Sequence, residues 1–408
     1  MKTLDVFLRE ELVGHLWLEH GRMVFSYGKH WLEQADATPL SASLPLRPDV
    51  FRQRECRAFF AGLLPEEDVR TITARNLGIS RENDFAMLEA IGGECAGAVT
   101  VMPEGQTPSG QQPRYATIGE RQLVDLLREL PTRPMLAGDE GTRLSLAGAQ
   151  SKLSVFADGD AIAIPLYGAP STHIIKTVTE RFPDLVFNEA FCLQLASLVG
   201  LHAAKAEVRF ADDIPFLLVE RYDRIIGDDG SLYRLHQEDF CQALGVDPDH
   251  KYQSEGGPDL VACCALIQRI TSVPSVAMLQ FADAVFFNVV IGNHDAHGKN
   301  FSILYAEQDA SLAPLYDLVS TVWYPHQTVN VAMSIGKERR SLHVSPEHIA
   351  AFAQAAGLSV AASKRRMRDM IELVREAISN VDVDHPVAES LTSLILERCS
   401  LLASRFRP

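Results

Sequence analysis

The chain has 408 residues, a length that suits roughly two or three packed domains of ordinary size. Its hydrophobic fraction of 47% and its charged fraction of 22% exclude extended disorder. The net charge of −15 would repel phosphate backbones and anionic membrane surfaces, so we do not expect this chain alone to bind DNA or a membrane.

The cysteines and the N-terminal sequence predict a cytoplasmic protein. The seven cysteines are scattered and include no CxxC pair, which is typical of buried thiols in a reducing compartment. The N-terminal sequence becomes charged at residues 9–11, before the apolar region of a signal peptide could form. The apolar stretch 276–291 contains Gln280, Asp283 and Asn288 and is shorter than the ~20 residues of a membrane span, so it predicts a buried helix.

Residues 1–105 are predicted to form a first α+β domain. Apolar residues alternate with others over residues 1–30, which predicts short antiparallel strands. The apolar spacing becomes helical over residues 55–91, and a strand-like stretch follows at 98–102. Residues 103–113 are rich in breaker residues and poor in apolar ones, which indicates a loop between domains.

Residues 106–220 and 221–408 follow the element order of a two-lobed kinase. The first of these sections is predicted to contain a helix, a flexible stretch, three strands, an amphipathic helix and two more strands, at residues 120–130, 131–141, 153–156, 161–164, 173–176, 187–198, 206–210 and 216–220. Gly200 is the expected C-cap of the amphipathic helix. The remainder is mainly helical, so we predict an α+β fold whose two kinase-like lobes are joined near residues 221–223.

The strongest functional signal is the polar loop at residues 292–301, GNHDAHGKNF, between a predicted helix and a predicted strand. Asp295 and Asn300 have the spacing of the kinase catalytic loop, in which the aspartate accepts the proton of the substrate hydroxyl and the asparagine binds magnesium. Asp317 follows where a further metal ligand is expected. Oxygen side chains suit Mg²⁺ because it is a hard cation.

Upstream residues supply candidates for binding the phosphates. Lys176 ends a predicted strand before the amphipathic helix, where a kinase places its nucleotide lysine. Glu189 in that helix could orient the lysine or could equally be a surface residue. The glycine-rich loop of ordinary protein kinases is missing, and residues 145–152, SLAGAQSK, stand in its position. Small residues there either allow backbone N–H groups to approach phosphates or form a tight turn before a strand.

Other interpretations of the polar loop fail on spacing. A nucleotide-binding P-loop requires a shorter interval between its two glycines and a serine or threonine where Asn300 stands. A calcineurin-like phosphoesterase requires an upstream Asp-x-His, and the chain contains this pattern only at 295–297 itself. His294 and His297 could bind a metal, but we expect hydrogen bonds that shape the loop instead.

Several strings resemble the HipA kinases of type II toxin–antitoxin modules. They are SLAGAQ at 145–150, VERYDR at 219–224, QEDFCQALG at 237–245, KY at 251–252 with GGP at 256–258, GNHDAHGKNF at 292–301 and YD at 316–317. These strings are long and specific, and the resemblance covers most of the chain. It implies a kinase fold of the HipA type with an added N-terminal subdomain, and ATP- and Mg²⁺-dependent phosphorylation of serine or threonine.

The resemblance also implies roles for single residues. Asp295 would be the catalytic base, and Asn300 and Asp317 would bind magnesium. Ser145 would be the autophosphorylation site through which the kinase switches itself off. A phosphate on Ser145 would carry a charge of roughly −2 and would repel the ATP phosphates, which favours ejection of the loop.

The ATP contacts that we expect lie in three parts of the chain. They come from Ala147, Gly148, Ala149, Gln150, Ser151 and Lys152 of a phosphate-side loop (residues 147–152), from Lys176, Glu220 and Tyr222, and from His297 and Lys299. The resemblance implies that adenine lies near Glu220 and Tyr222, next to the predicted joint between the lobes.

The resemblance implies partners as well. Kinases of this family phosphorylate a component of the translation machinery, typically glutamyl-tRNA synthetase, and so promote dormancy. A small HipB-like helix-turn-helix antitoxin neutralises them and binds operator DNA, so DNA contact is expected mainly through the antitoxin. Two alternatives are a small-molecule phosphotransferase, which the string at 145–150 argues against, and a catalytically vestigial co-repressor, which intact Lys176, Asp295, Asn300 and Asp317 argue against.

Overall fold

The structure is a computed structural model that describes residues 2–108, 114–138, 141–179, 181–228, 230–306, 309–325 and 328–406. The chain divides into two compact units. Unit 1 comprises Met1–Thr177, Arg209–Pro248 and Leu304–Glu307, and unit 2 comprises Val178–Val208, Asp249–Ile303 and Gln308–Pro408. The predicted domain boundaries after residues 105 and 220 stay predictions. Residues 109–113 and 139–140, in the predicted loop and flexible stretch, lie outside the described residues.

Unit 1 begins with a five-stranded antiparallel sheet, as the alternating pattern predicted. Its strands lie in the order Phe51–Arg52, Arg22–Tyr27, Glu11–Glu19, Thr3–Leu8 and Val99–Pro103. The accompanying helices are Lys29–Leu32, Gln53–Gly62, Glu67–Leu77 and Asp84–Ile91. Phe25, Phe59 and Phe60 are fully buried in the core between them. Burial of these aromatic rings stabilises the domain through the hydrophobic effect.

A second, six-stranded sheet in unit 1 contains the predicted strands of the first kinase lobe. Its strands lie in the order Ala206–Ala211, of which residues 209–211 belong to unit 1, then Ile214–Glu220, His173–Thr177, Lys152–Asp158, Ala161–Leu166 and Arg114–Ile118. The last strand was not predicted, because its largely polar, mostly exposed residues carry no apolar alternation. Further elements are the helix Glu120–Glu129, the strands Arg224–Ile226, Leu232–Arg234 and His236–Asp239, and the helix Phe240–Leu244.

Unit 2 is mainly helical, as predicted. Its helices are Leu185–Leu198, Leu260–Ile270, Pro274–Ile291, Pro346–Ala355, Val360–Ala377 and Pro386–Arg405. The strand Ser302–Ala306 continues into unit 1, and the strand Asp309–Leu312 lies in unit 2. Pro274–Ile291 packs against Leu260–Ile270, Val360–Ala377 and Pro386–Arg405. This central helix delivers the polar loop, which begins immediately after it.

The central helix Pro274–Ile291 is the buried helix that the apolar stretch predicted. Its length and composition would suffice to cross a membrane, but 67% of it is buried inside the protein. That burial is typical of a helix in a protein core. The seven cysteines are buried free thiols, in agreement with the sequence prediction.

Candidate active site

The polar loop starts at a position that requires glycine. The helix Pro274–Ile291 ends at Gly292, whose φ of 76° is left-handed. A Cβ at Gly292 would lie 2.5 Å from the Val322 side chain and 2.8 Å from the guanidinium carbon of Arg398. Both the backbone conformation and the lack of space therefore exclude other residues here.

Buried asparagine and serine side chains fix the start of the loop. Asn188, in the helix Leu185–Leu198, donates from Nδ2 to the Ser320 carbonyl at 3.1 Å and accepts the Ser320 N–H at 2.8 Å. The Ser320 hydroxyl donates to the Ile291 carbonyl at 2.6 Å. Asn293 donates to Asn288 Oδ1 at 2.9 Å. Since all these groups are buried, their hydrogen bonds tie the loop to two distant parts of unit 2.

His294 is held by hydrogen bonds on both ring nitrogens. Nδ1 donates to the Thr328 carbonyl at 2.8 Å, and Nε2 accepts from the Ser341 hydroxyl at 2.8 Å. Arg398 donates from Nη2 to the same Ser341 hydroxyl at 2.9 Å. Burial lowers the pKa of His294, which favours the neutral ring. These bonds agree with the expectation that His294 forms hydrogen bonds that shape the loop.

Asp295 is exposed, and hydrogen bonds define the orientation of its side chain. Its carboxylate accepts a hydrogen bond from the Tyr252 hydroxyl at 2.7 Å, and its N–H donates to Asn293 Oδ1 at 3.1 Å. The His297 N–H donates to the Asp295 carbonyl at 2.8 Å, and the Tyr252 and His297 rings meet edge to face. The carboxylate is therefore both positioned and accessible to a substrate.

The two candidate magnesium ligands also lie in unit 2. Asn300 accepts the His297 N–H on Oδ1 at 3.2 Å, which leaves a second lone pair of that oxygen for a cation. The carbonyl of its buried neighbour Lys299 accepts from the Tyr316 hydroxyl at 2.7 Å. Asp317 has a φ of 52°, a left-handed conformation that costs a non-glycine residue roughly 1 kcal/mol. Such strain is common where a side chain must point at a ligand.

The donor set suits magnesium. Among the residues that the structure describes, no three His, Cys, Asp or Glu side chains form a ready cage for a metal. Mg²⁺ commonly binds through about one or two protein carboxylates together with waters and substrate phosphates. An amide oxygen from Asn300 and a carboxylate from Asp317 fit that description.

Unit 1 places two lysines opposite each other. Lys152 pairs with Lys176 across the strands Lys152–Asp158 and His173–Thr177, so both side chains leave the same face of the sheet. Both are buried, and Lys152 Nζ donates to the Ala147 carbonyl at 2.7 Å. Two lysines on one face of the sheet are cationic groups of the kind that bind phosphate.

Hydrogen bonds fix the phosphate-side loop and the segment that precedes it. Gly148 has a φ of 110°, and Gln150 Nε2 donates to the Thr177 carbonyl at 3.0 Å. Ala149 is exposed and Ser151 is buried. Ser145, just before the loop, is fully buried and its hydroxyl donates to the Leu63 carbonyl at 2.7 Å. A phosphoryl donor therefore cannot reach Ser145 until this segment leaves its position.

The remaining candidates lie near the predicted joint between the lobes. Glu220 is exposed at the end of the strand Ile214–Glu220 in unit 1. Tyr222 is half-buried, and its hydroxyl donates to Gln237 Oε1. Glu189 is buried in a helix of unit 2.

The structure thus gathers the predicted residues into two groups. His297, Lys299 and the base and metal candidates belong to unit 2, whereas residues 145–152, Lys176, Glu220 and Tyr222 belong to unit 1. Sequence reasoning missed the supporting roles of Tyr252, Asn188, Ser320 and Arg398, because a polar side chain carries no local signal of its distant partner.

Comparisons with known proteins identify the family. A model of the HipA N-terminal domain matches residues 4–102, and a model of the HipA-like C-terminal domain matches residues 144–381. The chain belongs to the HipA family. The HipA-like C-terminal domain contains every predicted site residue, from Ser145 to Asp317.

Relatives agree over almost the whole chain. Y4mE of Sinorhizobium fredii, whose name assigns it provisionally as a kinase, is 47% identical over 389 residues, covering 93% of this chain and 92% of Y4mE. The serine/threonine-protein kinase toxin HipA of Shewanella oneidensis is 31% identical over 376 residues, covering 87% and 84%. The solved structure of Shewanella oneidensis HipA with HipB and operator DNA matches with a TM-score of 0.83 and 28% identity, covering 99% of this chain and 96% of that one. This likeness confirms the predicted α+β, kinase-like fold of the HipA type.

Proposed function

We propose that this HipA-family chain is an ATP- and Mg²⁺-dependent serine/threonine protein kinase and the toxin of a HipBA-type toxin–antitoxin module. The observation that carries the proposal is the polar loop, in which Asp295 is exposed and oriented by Tyr252 while Asn300 follows at kinase spacing. The names of the relatives support both the kinase and the toxin interpretation.

Each candidate residue has a defined task in this reaction. When bound, MgATP supplies the phosphoryl group and magnesium neutralises its charge. Asp295 accepts the proton of a serine or threonine hydroxyl as that oxygen bonds to the γ-phosphorus and the bond to the β-phosphate oxygen breaks, releasing ADP. Asn300 and Asp317 offer oxygens to the metal. Lys152, Lys176, His297, Lys299 and the phosphate-side loop bind phosphates, and Glu220 and Tyr222 bind adenine.

Incubation of the purified protein with labelled ATP and Mg²⁺ tests the activity. We expect label on the wild-type chain and a loss of roughly 10²- to 10⁴-fold in Asp295→Asn, because a positioned base contributes about that much. Asp369→Asn, which removes an exposed carboxylate from a helix of the same unit, is the matched control and should leave labelling unchanged. Equal labelling of Asp295→Asn and the control would refute the assignment of the base.

Ser145 is the proposed acceptor of autophosphorylation. The Leu63 carbonyl now accepts a hydrogen bond from the Ser145 hydroxyl, and an ionised phosphate at that position would have no proton to donate. A phosphorylated segment would therefore be expelled, which would switch the kinase off. We expect phosphopeptide mapping to find the label on Ser145 and Ser145→Ala to bind ATP without becoming labelled; wild-type labelling of that variant would indicate another acceptor.

We propose that a HipB-like helix-turn-helix antitoxin binds this chain and that operator DNA is contacted mainly through the antitoxin. Support comes from the solved relative, whose structure contains HipB and operator DNA, and from the chain's charge of −15. The proposed substrate is a component of the translation machinery, such as glutamyl-tRNA synthetase, in the cytoplasm. The same phosphopeptide mapping, applied to cells that express wild type or Asp295→Asn, would identify that substrate.

A further inference from the structure

Glu94 is a buried carboxylate in an unusual position in unit 1. It lies in the segment GGECAG at residues 92–97, between the helix Asp84–Ile91 and the strand Val99–Pro103, and is 1% exposed. This segment falls within the match to the HipA N-terminal domain. Its main chain and its side chain contact two different segments, one preceding the phosphate-side loop and the other a hinge segment (residues 220–224).

The main chain of Glu94 fixes the start of the first segment. Its N–H donates to the Arg143 carbonyl at 2.7 Å, and the Ser145 N–H donates to the Glu94 carbonyl at 2.9 Å. These bonds form a parallel bridge between Glu94 and Leu144. The Ser145 hydroxyl is bonded to the nearby Leu63 carbonyl, so the chain entering the phosphate-side loop is held on two sides by residues of the N-terminal domain.

The side chain of Glu94 binds the hinge segment. Oε1 accepts from Arg221 Nη1 at 3.1 Å and from Arg224 Nη2 at 3.0 Å, and Oε2 accepts from Arg224 Nη2 at 2.9 Å. Oε1 also accepts the Ser171 hydroxyl at 2.7 Å. The two arginines stand on either side of Tyr222 along the chain, and all the charged groups are buried.

Asp223 is a second buried carboxylate among these arginines. Asp223 accepts from Arg221 Nη2 at 2.7 Å and from the Gly97 N–H at 2.7 Å. Burial alone would raise the pKa of Glu94, but Arg224, Arg234 and Arg221 outweigh burial and hold that pKa at about 2. Glu94 is therefore ionised, and without its charge one carboxylate would remain among these guanidinium groups.

We propose that Glu94 is a positioning residue that couples the segment preceding the phosphate-side loop to the hinge segment. It would thereby fix the position of the phosphate contacts relative to the adenine contacts. The coupling follows from rigidity, because one buried residue fixes Ser145 through its backbone and Arg221 with Arg224 through its carboxylate. The proposal rests on the proposed function in one respect, namely that these two segments contact ATP.

Nucleotide affinity and amide exchange test the coupling together. We expect Glu94→Gln to weaken calorimetric binding of Mg²⁺ with adenylyl imidodiphosphate by about tenfold, while the rate of autophosphorylation at saturating ATP does not fall, because Ser145 becomes accessible only when its segment leaves its position. In the nucleotide-free protein, the amides of Ser145 and Arg221 should both exchange faster. The Ser145 N–H donates to the Glu94 carbonyl, and the Arg221 N–H donates to the Thr172 carbonyl, next to Ser171, whose hydroxyl donates to the Glu94 carboxylate. A variant that only lowered stability would not weaken nucleotide binding while sparing the rate of autophosphorylation.

A matched control removes another buried carboxylate from the same domain. Asp84 accepts from Arg57 at 2.8 Å and from Arg70, and both arginines lie outside the two segments that Glu94 contacts. Asp84→Asn should lower stability yet leave nucleotide affinity within about twofold of wild type. It should also leave the exchange of the Ser145 and Arg221 amides unchanged.

A milder variant covers the case in which Glu94→Gln does not fold. Ser171→Ala removes the hydroxyl that donates to Glu94 and accepts from Arg221 at 2.9 Å, while every charge stays in place. We expect the same pattern with an affinity loss of about threefold. Unchanged affinity, or faster exchange in only one of the two segments, would overturn the coupling. Failure of the wild type to bind nucleotide would instead refute the proposed function, and the exchange data would still decide whether the segments are coupled.

Discussion

The two units hold their functional segments in different ways. In unit 1 the hinge segment is fixed by buried opposite charges, chiefly Glu94 and Asp223 with two arginines. In unit 2 the polar loop is fixed mostly by neutral groups, such as the bonds of Asn188 with Ser320 and of His294 with Ser341. A buried ionic network fails as a whole when one member is lost, whereas neutral bonds can be removed singly.

Arg398 is a charged residue that also helps to fix the polar loop of unit 2. It is buried in the helix Pro386–Arg405 and donates to the carbonyls of Val290 at 3.0 Å and Val289 at 2.7 Å, at the end of the central helix. Burial lowers its pKa to about 10, so the side chain remains charged at neutral pH. A cation at this place satisfies carbonyls that have no partner within the helix and complements the helix dipole.

The largest effect should come from removing that cation. Arg398→Met keeps most of the volume but leaves buried carbonyls unsatisfied and deprives Ser341 of a donor. We expect a loss of roughly 3 to 5 kcal/mol in the free energy of unfolding, with faster amide exchange concentrated in the polar loop. Hydrogen-exchange mass spectrometry during urea unfolding measures both quantities.

Arg366→Met is the matched control for Arg398→Met. Arg366 belongs to the same unit but is partly exposed, where it pairs with Asp283 at 2.7 Å. We expect its loss to cost about 1 kcal/mol or less because water can replace the partner. If both variants lost equally little free energy of unfolding, the polar loop would not depend on a buried charge. Unit 2 would then fix its functional segment by neutral bonds alone.

A third buried carboxylate in unit 1, that of Glu238, should make the free energy of unfolding depend on pH. Glu238 accepts from the hydroxyls of Ser41 and Tyr305, each at 2.5 Å, and from the Ala42 N–H at 3.0 Å. Burial raises the pKa of Glu238 to about 7, although these hydrogen bonds oppose the rise. The folded chain therefore keeps the proton at pH values where the unfolded chain has released it.

The sign of the pH dependence follows from proton binding. As the pH rises from about 4.5 to 7, the unfolded state binds fewer protons than the folded state, so wild-type stability falls. We expect Glu238→Gln to lack this slope and to gain roughly 3 kcal/mol relative to wild type between pH 4.5 and pH 8. Urea titrations in a Trp323→Phe background measure it, because the remaining tryptophans, Trp17 and Trp31, lie in unit 1.

The control for this pH experiment is Glu10→Gln, which changes an exposed carboxylate in a turn of unit 1. Its stability relative to wild type should not vary over the same range. A flat difference for Glu238→Gln as well would mean that the carboxylate stays ionised in the folded chain, held by its three donors. Unit 1 would then resist pH in the way that its arginine-paired carboxylates do.

What could be predicted from the sequence was local. The strands at Lys152–Asp158 and His173–Thr177 and the central helix carry their signal in their own periodicity, and the polar loop carries it in its spacing. The roles assigned to Asp295 and Ser145 stay predictions.

The long-range pairing of polar groups could not be predicted from the sequence. Arg398 bonds to a residue 108 positions away, and Arg221 bonds to one 127 positions away, separations at which no pattern in one sequence links the partners. One local signal was present, since Glu94 is a lone charge among small residues between a helix and a strand. A charged residue in such a place must be exposed or paired, and here it is paired.

The smallest effect should come from a single neutral bond at the polar loop. Thr321 donates from Oγ1 to the Gly292 carbonyl at 3.1 Å and accepts the His294 N–H at 2.8 Å. Thr321→Val should cost about 1 to 2 kcal/mol, measured by the same exchange experiment. Thr71→Val removes a hydroxyl that makes a solvent-accessible bond to the Glu67 carbonyl of its own helix, and it should cost less than about 0.5 kcal/mol. A loss as large as that of Arg398→Met would mean that the neutral bonds act cooperatively, so that the two units would differ in chemistry but not in the way they fail.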